Sequence, residues 1–328
     1  MDAALRPLTT SQVLDRTFQL YKKNFLLFVG IAVIGPGLTL LASLIIIAFM
    51  GTPIMPDPKS LDPTFLRSFF ARAGINAAVG IIVLAVGNAI ATGATIHAVS
   101  MVHLGKTTTI LESYQKIKSI FWRILWVIVR IFCIAWGPFV GAYLLLIASA
   151  LAVPLLLKNG ALGGAAAAVG FIAIALVGLG GIFAGMCWAV YAYCRYALAV
   201  PACTVEGLPA KYAIVRSKFL SKGSFWRIFS IFALTLLLGF GLTSLLQVPA
   251  LLFANPFAMK PGPMSMGYLF FAQLGEFLGR TFAGPVATIA IALVYYDERV
   301  RKEAFDLQLM MENLPSGTTQ AAASAGSS

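Results

Sequence analysis

Apolar residues run along this chain in long unbroken stretches, separated by short segments in which Lys, Arg, Asn and Gly gather. Several stretches exceed the ~18 residues that mark a candidate span, and about 20 helical residues cross roughly 30 Å of hydrocarbon. Backbone amides in lipid must bond within their own segment or within a closed barrel, and long runs without polar–apolar alternation select helices. The pattern predicts an all-α, polytopic integral membrane protein with six transmembrane spans, at about 25–50, 76–103, 122–157, 162–200, 225–254 and 267–296. The first is too long for a secretory leader's core and has no small-x-small cleavage site after it, so it reads as a retained span. The third and fourth are longer than the bilayer requires, which implies tilt, a kink or extension beyond it.

Three times a basic amphipathic segment leads through an aromatic residue into a pair of spans: FQLYKKNFLLF, SYQKIKSIFWRIL and RSKFLSKGSFWRIF. Leu14, Phe18, Tyr21 and Phe25 have the same relative spacing as Ile110, Tyr114, Ile117 and Phe121, an apolar stripe on one helix face. In the third copy Phe225-Trp226-Arg227 matches Phe121-Trp122-Arg123, while Lys218 interrupts the stripe. Thr9 with Gln12, and Thr109 with Glu112, have capping-box spacing. The expectation is three hairpin-like repeats, each led by a cytoplasmic amphipathic helix that lies in the membrane interface or packs on the bundle. Each copy holds an even number of spans, which disfavours inverted-repeat transporter architecture.

Only 11% of the 328 residues are charged and 59% are apolar, with a net charge of +12. Of the 24 Lys and Arg, seventeen lie in the N-terminal flank, the 2–3 and 4–5 loops and the residues after span six; five lie on the other side. That bias places both termini inside, at the cytoplasmic (inner) membrane of a bacterium. Lys22, Lys23, Lys116, Lys118, Arg123, Arg216, Lys218, Lys222 and Arg227 form a membrane-surface basic belt toward anionic inner-leaflet lipids, so the charge calls for no nucleic-acid partner. After span six, Asp297–Arg301, Glu298–Lys302, Arg299–Glu303 and Lys302–Asp306 have (i, i+4) spacing beside an apolar stripe of Val300, Ala304, Leu307 and Met311, which extends that span as a helix docked sideways on the bundle or inner leaflet to about residue 312. Residues 1–312 read as one membrane domain, and 313–328 as a disordered cytoplasmic tail.

Three stretches, LTTSQVLDRTFQLYKKNF at 8–25, TVEGLPAKYAIVRSKFLSKGSFWRIF at 204–229 and ALVYYDERVRKEAFDLQ at 292–308, resemble the bacterial glycerophosphoryl diester phosphodiesterase membrane domain family. The resemblance implies a membrane module, in some members joined to a soluble phosphodiesterase barrel. Such a barrel takes about 250 residues, and 32 follow span six here, so no phosphodiesterase activity is expected from these residues.

Charges inside spans are expensive and often functional, which singles out Arg130, Glu276 and Arg280, with His97 beside them. Glu276 and Arg280 have the spacing of a structural pair, with a substrate or proton site as the second reading. His97 and His103 stand about 240° apart around one helix, too far to share a metal. The four cysteines read as packing residues, and no metal site, cofactor site or catalytic set stands out. Gly35-Pro36-Gly37, Gly137-Pro138 and Gly284-Pro285 read as kinks, and Gly181/Gly185 and Gly275/Gly279 as close-packing faces. The leading functional expectation is a non-enzymatic module that organises lipids, another membrane protein or further copies of itself. The alternative is a small-solute transporter or channel using Arg130, Glu276 and Arg280.

Overall fold

The computed structural model describes residues 8–55, 63–158, 164–253 and 262–303. The elements follow in order as α1 (Thr10–Lys23), α2 (Phe25–Ala32), α3 (Ile34–Met50), β1 (Ile54–Met55), α4 (Pro63–His103), α5 (Ile110–Lys118) and α6 (Phe121–Lys158). They continue as α7 (Gly164–Tyr196), α8 (Ala199–Glu206), α9 (Ala210–Ser221), α10 (Phe225–Leu251), β2 (Gly262–Pro263) and α11 (Met266–Glu303). Six helical stretches are long and apolar enough to cross a membrane, the first made of α2 with α3 and the fourth of α7 with α8. This is a multi-pass helical membrane protein. The segments expected at residues 304–312 and in the tail at 313–328 lie outside the described residues.

The six spans form three antiparallel hairpins, α2/α3 with α4, α6 with α7, and α10 with α11. Small residues set how closely each closes. A Cβ on Gly185 would stand 2.8 Å from the Phe139 Cα, and one on Gly279 would stand 2.7 Å from the Thr243 Cα. Phe139 and Thr243 are 104 residues apart, the same offset as Phe121 and Phe225. One helical turn outward, Gly181 faces Ala142 and Gly275 faces Leu246, again at that offset. The second and third hairpins therefore close in one register, which supports the repeat and both predicted close-packing faces. The first hairpin closes at Gly35 against Gly87.

Proline positions the breaks. Pro36 has no N–H to donate to the Ala32 carbonyl, so α2 stops at Ala32 and α3 begins beyond Val33. Pro201 likewise cannot serve Ala197, and the helix expected to run to residue 200 ends at Tyr196 and restarts as α8, whose Ala199–Cys203 are buried. Pro285 is carried inside α11, and α6 runs through Pro138 without a break.

Both capping boxes are present. The Gln12 and Glu112 backbone N–H groups donate to the threonine hydroxyls, and the Thr9 and Thr109 N–H groups donate back to the side chains at 2.9 Å. The predicted stripe is buried in part: Ile117 is enclosed and Leu14, Tyr21, Tyr114 and Phe121 pack against the core, while Phe18, Phe25 and Ile110 stay exposed. Val13 and Thr17 in α1, Ser113 and Ile117 in α5, and Ser217 and Ser221 in α9 turn inward. Phe18, Leu111, Tyr212, Val215 and Phe219 stay exposed. The helices thus pack on the bundle through one face and keep a second apolar face outward. The small hydroxyl side chains fit because they bond carbonyls: Thr17 to Val13, Ser113 to Thr109, and Ser217 and Ser221 to Arg195.

Where α1, α5, α8, α9 and the end of α11 gather, the basic end, the bundle is solid: Val13, Phe28, Ile31, Ile96, Leu198, Ile289, Leu293 and Tyr295 are fully buried. At the far end the β1–β2 pair, Ile54 opposite Pro263 and Met55 opposite Gly262, joins the loops of the first and third hairpins. Of the cysteines expected to pack, Cys194 and Cys203 are buried while Cys133 and Cys187 face outward.

Candidate functional site

The last turns of α11 dock against the bundle and enclose two of the paired acids. The (i, i+4) pairs Arg301–Asp297 (2.7 Å), Lys302–Glu298 (3.4 Å) and Arg299–Glu303 (3.3 Å) are present, but the Asp297 and Glu298 side chains are 2% and 1% exposed. Buried carboxylates require partners, and Arg227 supplies them at 2.5 Å from Asp297 and 2.9 Å from Glu298. The Leu8 N–H donates to Asp297, the Leu8 carbonyl accepts from Arg227 and Arg301, and Ser224 donates to Glu298. Lys302 Nζ donates to the Leu220 and Lys222 carbonyls at the end of α9. Arg216 bridges Glu206 at 3.0 Å to Glu303, and Tyr295 donates to Glu206. Burial alone would lower the Arg216 pKa; its hydrogen bonds to Glu303 and Glu206 outweigh that and hold it above its ordinary value.

This corrects the basic belt. Lys22, Lys23, Lys116, Lys118, Arg123, Lys218 and Lys222 are exposed, whereas Arg216 and Arg227 are internal counter-ions that fasten α9 and α10 to α11. The acids that divert them are Glu206, ten residues from Arg216, and the sequence-distant Glu303, Asp297 and Glu298 on α11.

Above the packed basic end, hairpins one and three part to leave a groove. Its inner chamber, about 510 Å³, lies between Pro36 and Thr39 of α3, Asn88, Thr92 and Thr95 of α4, Thr243 of α10, and Arg280 and Thr288 of α11. An outer chamber of about 370 Å³ adjoins it at Pro36, Thr39, Leu84 and Arg280, and reaches Ser43, Ala77, Gln273 and Glu276. A third, about 310 Å³, opens from Asn88, Thr92 and Thr288 toward Trp136 and Tyr193 of the second hairpin. From Thr95 to Ala77 the groove extends about 27 Å along α4 at 1.5 Å per residue, close to the thickness of the hydrocarbon.

Most of the wall area is apolar, but hydroxyl and amide side chains recur along it. Thr39, Thr243 and Thr288 donate to the carbonyls of Pro36, Gly239 and Gly284, which leaves hydroxyl oxygens as acceptors facing the cavity. Ala32, whose carbonyl Pro36 leaves without its helical donor, also lines it. Two tyrosines from the basic-end helices tie down the neighbouring carbonyls: Tyr114 donates to Ile31, and Tyr21 donates to Phe282 (2.8 Å), beside the Thr281 carbonyl that Pro285 cannot serve. Desolvation raises the pKa of both phenols, Tyr114 to about 12, so both stay protonated donors.

Arg280 and Glu276 lie 2.7 Å apart with 44% and 40% of their side chains accessible. Arg280 borders both main chambers and Glu276 the outer one, about 25 Å along α11 from Asp297. The other candidates are not brought to this site. The Arg130 guanidinium is 5.5 Å from the Trp126 ring centroid, one turn back on its own helix. His97 is on α4 away from the chambers, its Nδ1 buried and without a hydrogen-bond partner among the described residues. Sequence reasoning missed Asn88, Thr92 and Thr95, whose spacing puts them on one face of α4; polar residues at helical period within an apolar span were the available signal. Among the described residues no group of His, Cys, Asp and Glu could hold a metal ion.

Compared with known protein families, curated proteins and solved structures, the chain matches none of them.

Proposed function

We propose that this protein is a non-enzymatic lipid-binding module of a bacterial cytoplasmic membrane, with both termini cytoplasmic, that lays the tail of an amphiphile in the groove and sets its polar end at Arg280 and Glu276. The observation that carries the reading is an ion pair, 2.7 Å long and more than a third accessible, opening into an apolar groove at membrane depth. Such a pair facing hydrocarbon alone would be costly, and a polar headgroup or water beside it removes that cost. Mostly apolar wall area with interspersed polar groups, in a volume of several hundred Å³, is what small-molecule sites present. The excess of Lys and Arg at the basic end supports the orientation.

The test is lipid mass spectrometry on protein extracted in a mild neutral detergent. Wild type is expected to carry a lipid that Ala287→Phe, which fills the inner chamber, loses, and that Arg280→Gln exchanges for a different headgroup. An identical lipid complement in all three proteins would rule the reading out. Transport of a small solute is the second reading, favoured by the Pro36 break beside the cavity. Against it stand the separation of Arg130 from the site and the packed residues Phe28, Ile31, Ile289 and Leu293 that close the basic end.

A further inference from the structure

At the basic end, a separate small cavity of about 170 Å³ lies where α7, α9 and the start of α10 meet. Three cationic side chains line it, Arg195, Lys218 and Lys222, and among the described residues no acidic one does. This contrasts with the neighbouring cations of the same end: Arg216, Arg227, Arg299, Arg301 and Lys302 are all matched to carboxylates. Two of the three are held in place without being neutralised. Arg195 is anchored to the Tyr191 hydroxyl and Lys218 Nζ sits 5.5 Å from the Tyr196 ring centroid. The backbone is fixed as well, since the Ser217 and Ser221 hydroxyls both bond the Arg195 carbonyl. Gly223, at φ 82°, turns the chain from α9 into α10 with open space where a side chain would be.

The cavity also sits at a telling height. Tyr191 and Phe225, whose ring centroids are 5.6 Å apart, border it. Exposed Trp188 and Trp226 flank those residues in sequence, and exposed Trp122 starts the equivalent helix of the second hairpin. Trp and Tyr gather at the membrane–water boundary, the depth of lipid phosphates. Three cations around a pocket of this size, one of them a guanidinium able to grip two oxygens at once, match a phosphate group better than a lone carboxylate.

We infer that Arg195, Lys218 and Lys222 form a binding site for a phosphate group, carried by an anionic phospholipid headgroup or by a soluble phosphate, at the membrane surface. The site is independent of the groove, and the groove-filling Ala287→Phe leaves it intact. Purified protein is incorporated into phosphatidylcholine vesicles containing phosphatidylglycerol, and retained phosphatidylglycerol is counted by native mass spectrometry. In parallel, protein in neutral detergent is titrated calorimetrically with inorganic phosphate. Lys218→Gln/Lys222→Gln is expected to weaken binding roughly tenfold or more, while Lys22→Gln/Lys23→Gln, the same charge change elsewhere at the basic end, leaves it unchanged. Lys218→Arg/Lys222→Arg should restore it, and matched thermal unfolding shows that each variant folds. Phosphatidylglycerol retention without phosphate binding assigns the site to lipid; competitive binding of phosphate alone assigns it to a soluble ligand. Binding of neither probe, or equal loss in both Gln pairs, would overturn the inference.

Discussion

Arg227 and Asp297 meet at 2.5 Å although 70 residues separate them, and the Asp297 side chain is almost wholly enclosed. That contact joins the first turn of the fifth span to the last turns of the sixth, and Leu8 is hydrogen-bonded to both residues. Removing one member of an enclosed ion pair leaves the other charge without compensation, which costs about 3–5 kcal/mol. Asp297→Ala should therefore lower the thermal unfolding midpoint strongly in detergent, far more than Glu276→Ala at the accessible pair. Equal effects of the two would mean that enclosure does not govern this contact.

The glycine contacts give a sharper pairwise comparison. Gly279→Ala places a methyl 2.7 Å from the backbone of Thr243, whereas Gly241→Ala meets nothing within 4 Å. The first should destabilise by about 1–3 kcal/mol through overpacking. The second should be neutral or stabilise by up to about 1 kcal/mol from helix propensity. Unfolding of both variants by denaturant in micelles separates the two; a reversed order would contradict the hairpin register.

Acid should loosen α5 at its start. The Thr109 backbone N–H, and then its hydroxyl, hold the Glu112 carboxyl below its ordinary pKa. Because the folded pKa is depressed, the contribution of Glu112 is present above the ordinary carboxylate value, about 4.3, and is lost as pH falls through the folded one. Hydrogen exchange at the first amides of α5, corrected for intrinsic rates, should rise over that window in wild type. In Glu112→Gln it should not.

Tyr114→Phe and Tyr21→Phe each delete one hydroxyl from a carbonyl next to a proline interruption. A loss of about 1 kcal/mol is expected for each. The loss should be accompanied by faster exchange of amides around Val33 for the first and around Val286 for the second. Uniform acceleration across the bundle would point to general destabilisation instead.

The spans are legible in the sequence because lipid forces every backbone bond to stay local, so hydropathy and length suffice. Capping boxes and Gly-xxx-Gly faces are legible for the same reason, since each depends on neighbours within a few residues. The fate of Arg216 and Arg227 is not, because a basic residue beside a membrane reads alike whether its partner is a headgroup or a carboxylate such as Glu303 or Asp297 brought from elsewhere in the chain. The charges Glu276 and Arg280 stand out as chemistry, but the groove beside them depends on which faces of separate hairpins fail to touch. Asn88, Thr92 and Thr95 acquire meaning only once α10 stands across from them.

The first and third hairpins are stitched at both ends, by the Ile54–Met55 and Gly262–Pro263 ladder on one side and by the Tyr296 hydroxyl of α11 bonded to Ser100 of α4 at 2.8 Å on the other. Between those stitches α4 and α10 face each other without closing. The arrangement is a buttonhole, pinned at its tips and open in its middle, at the depth of the apolar spans. On the proposed reading, a ligand that enters between Asn88 and Phe240 comes sideways from the bilayer, and the concentration that matters is the one in the membrane, not the one in water.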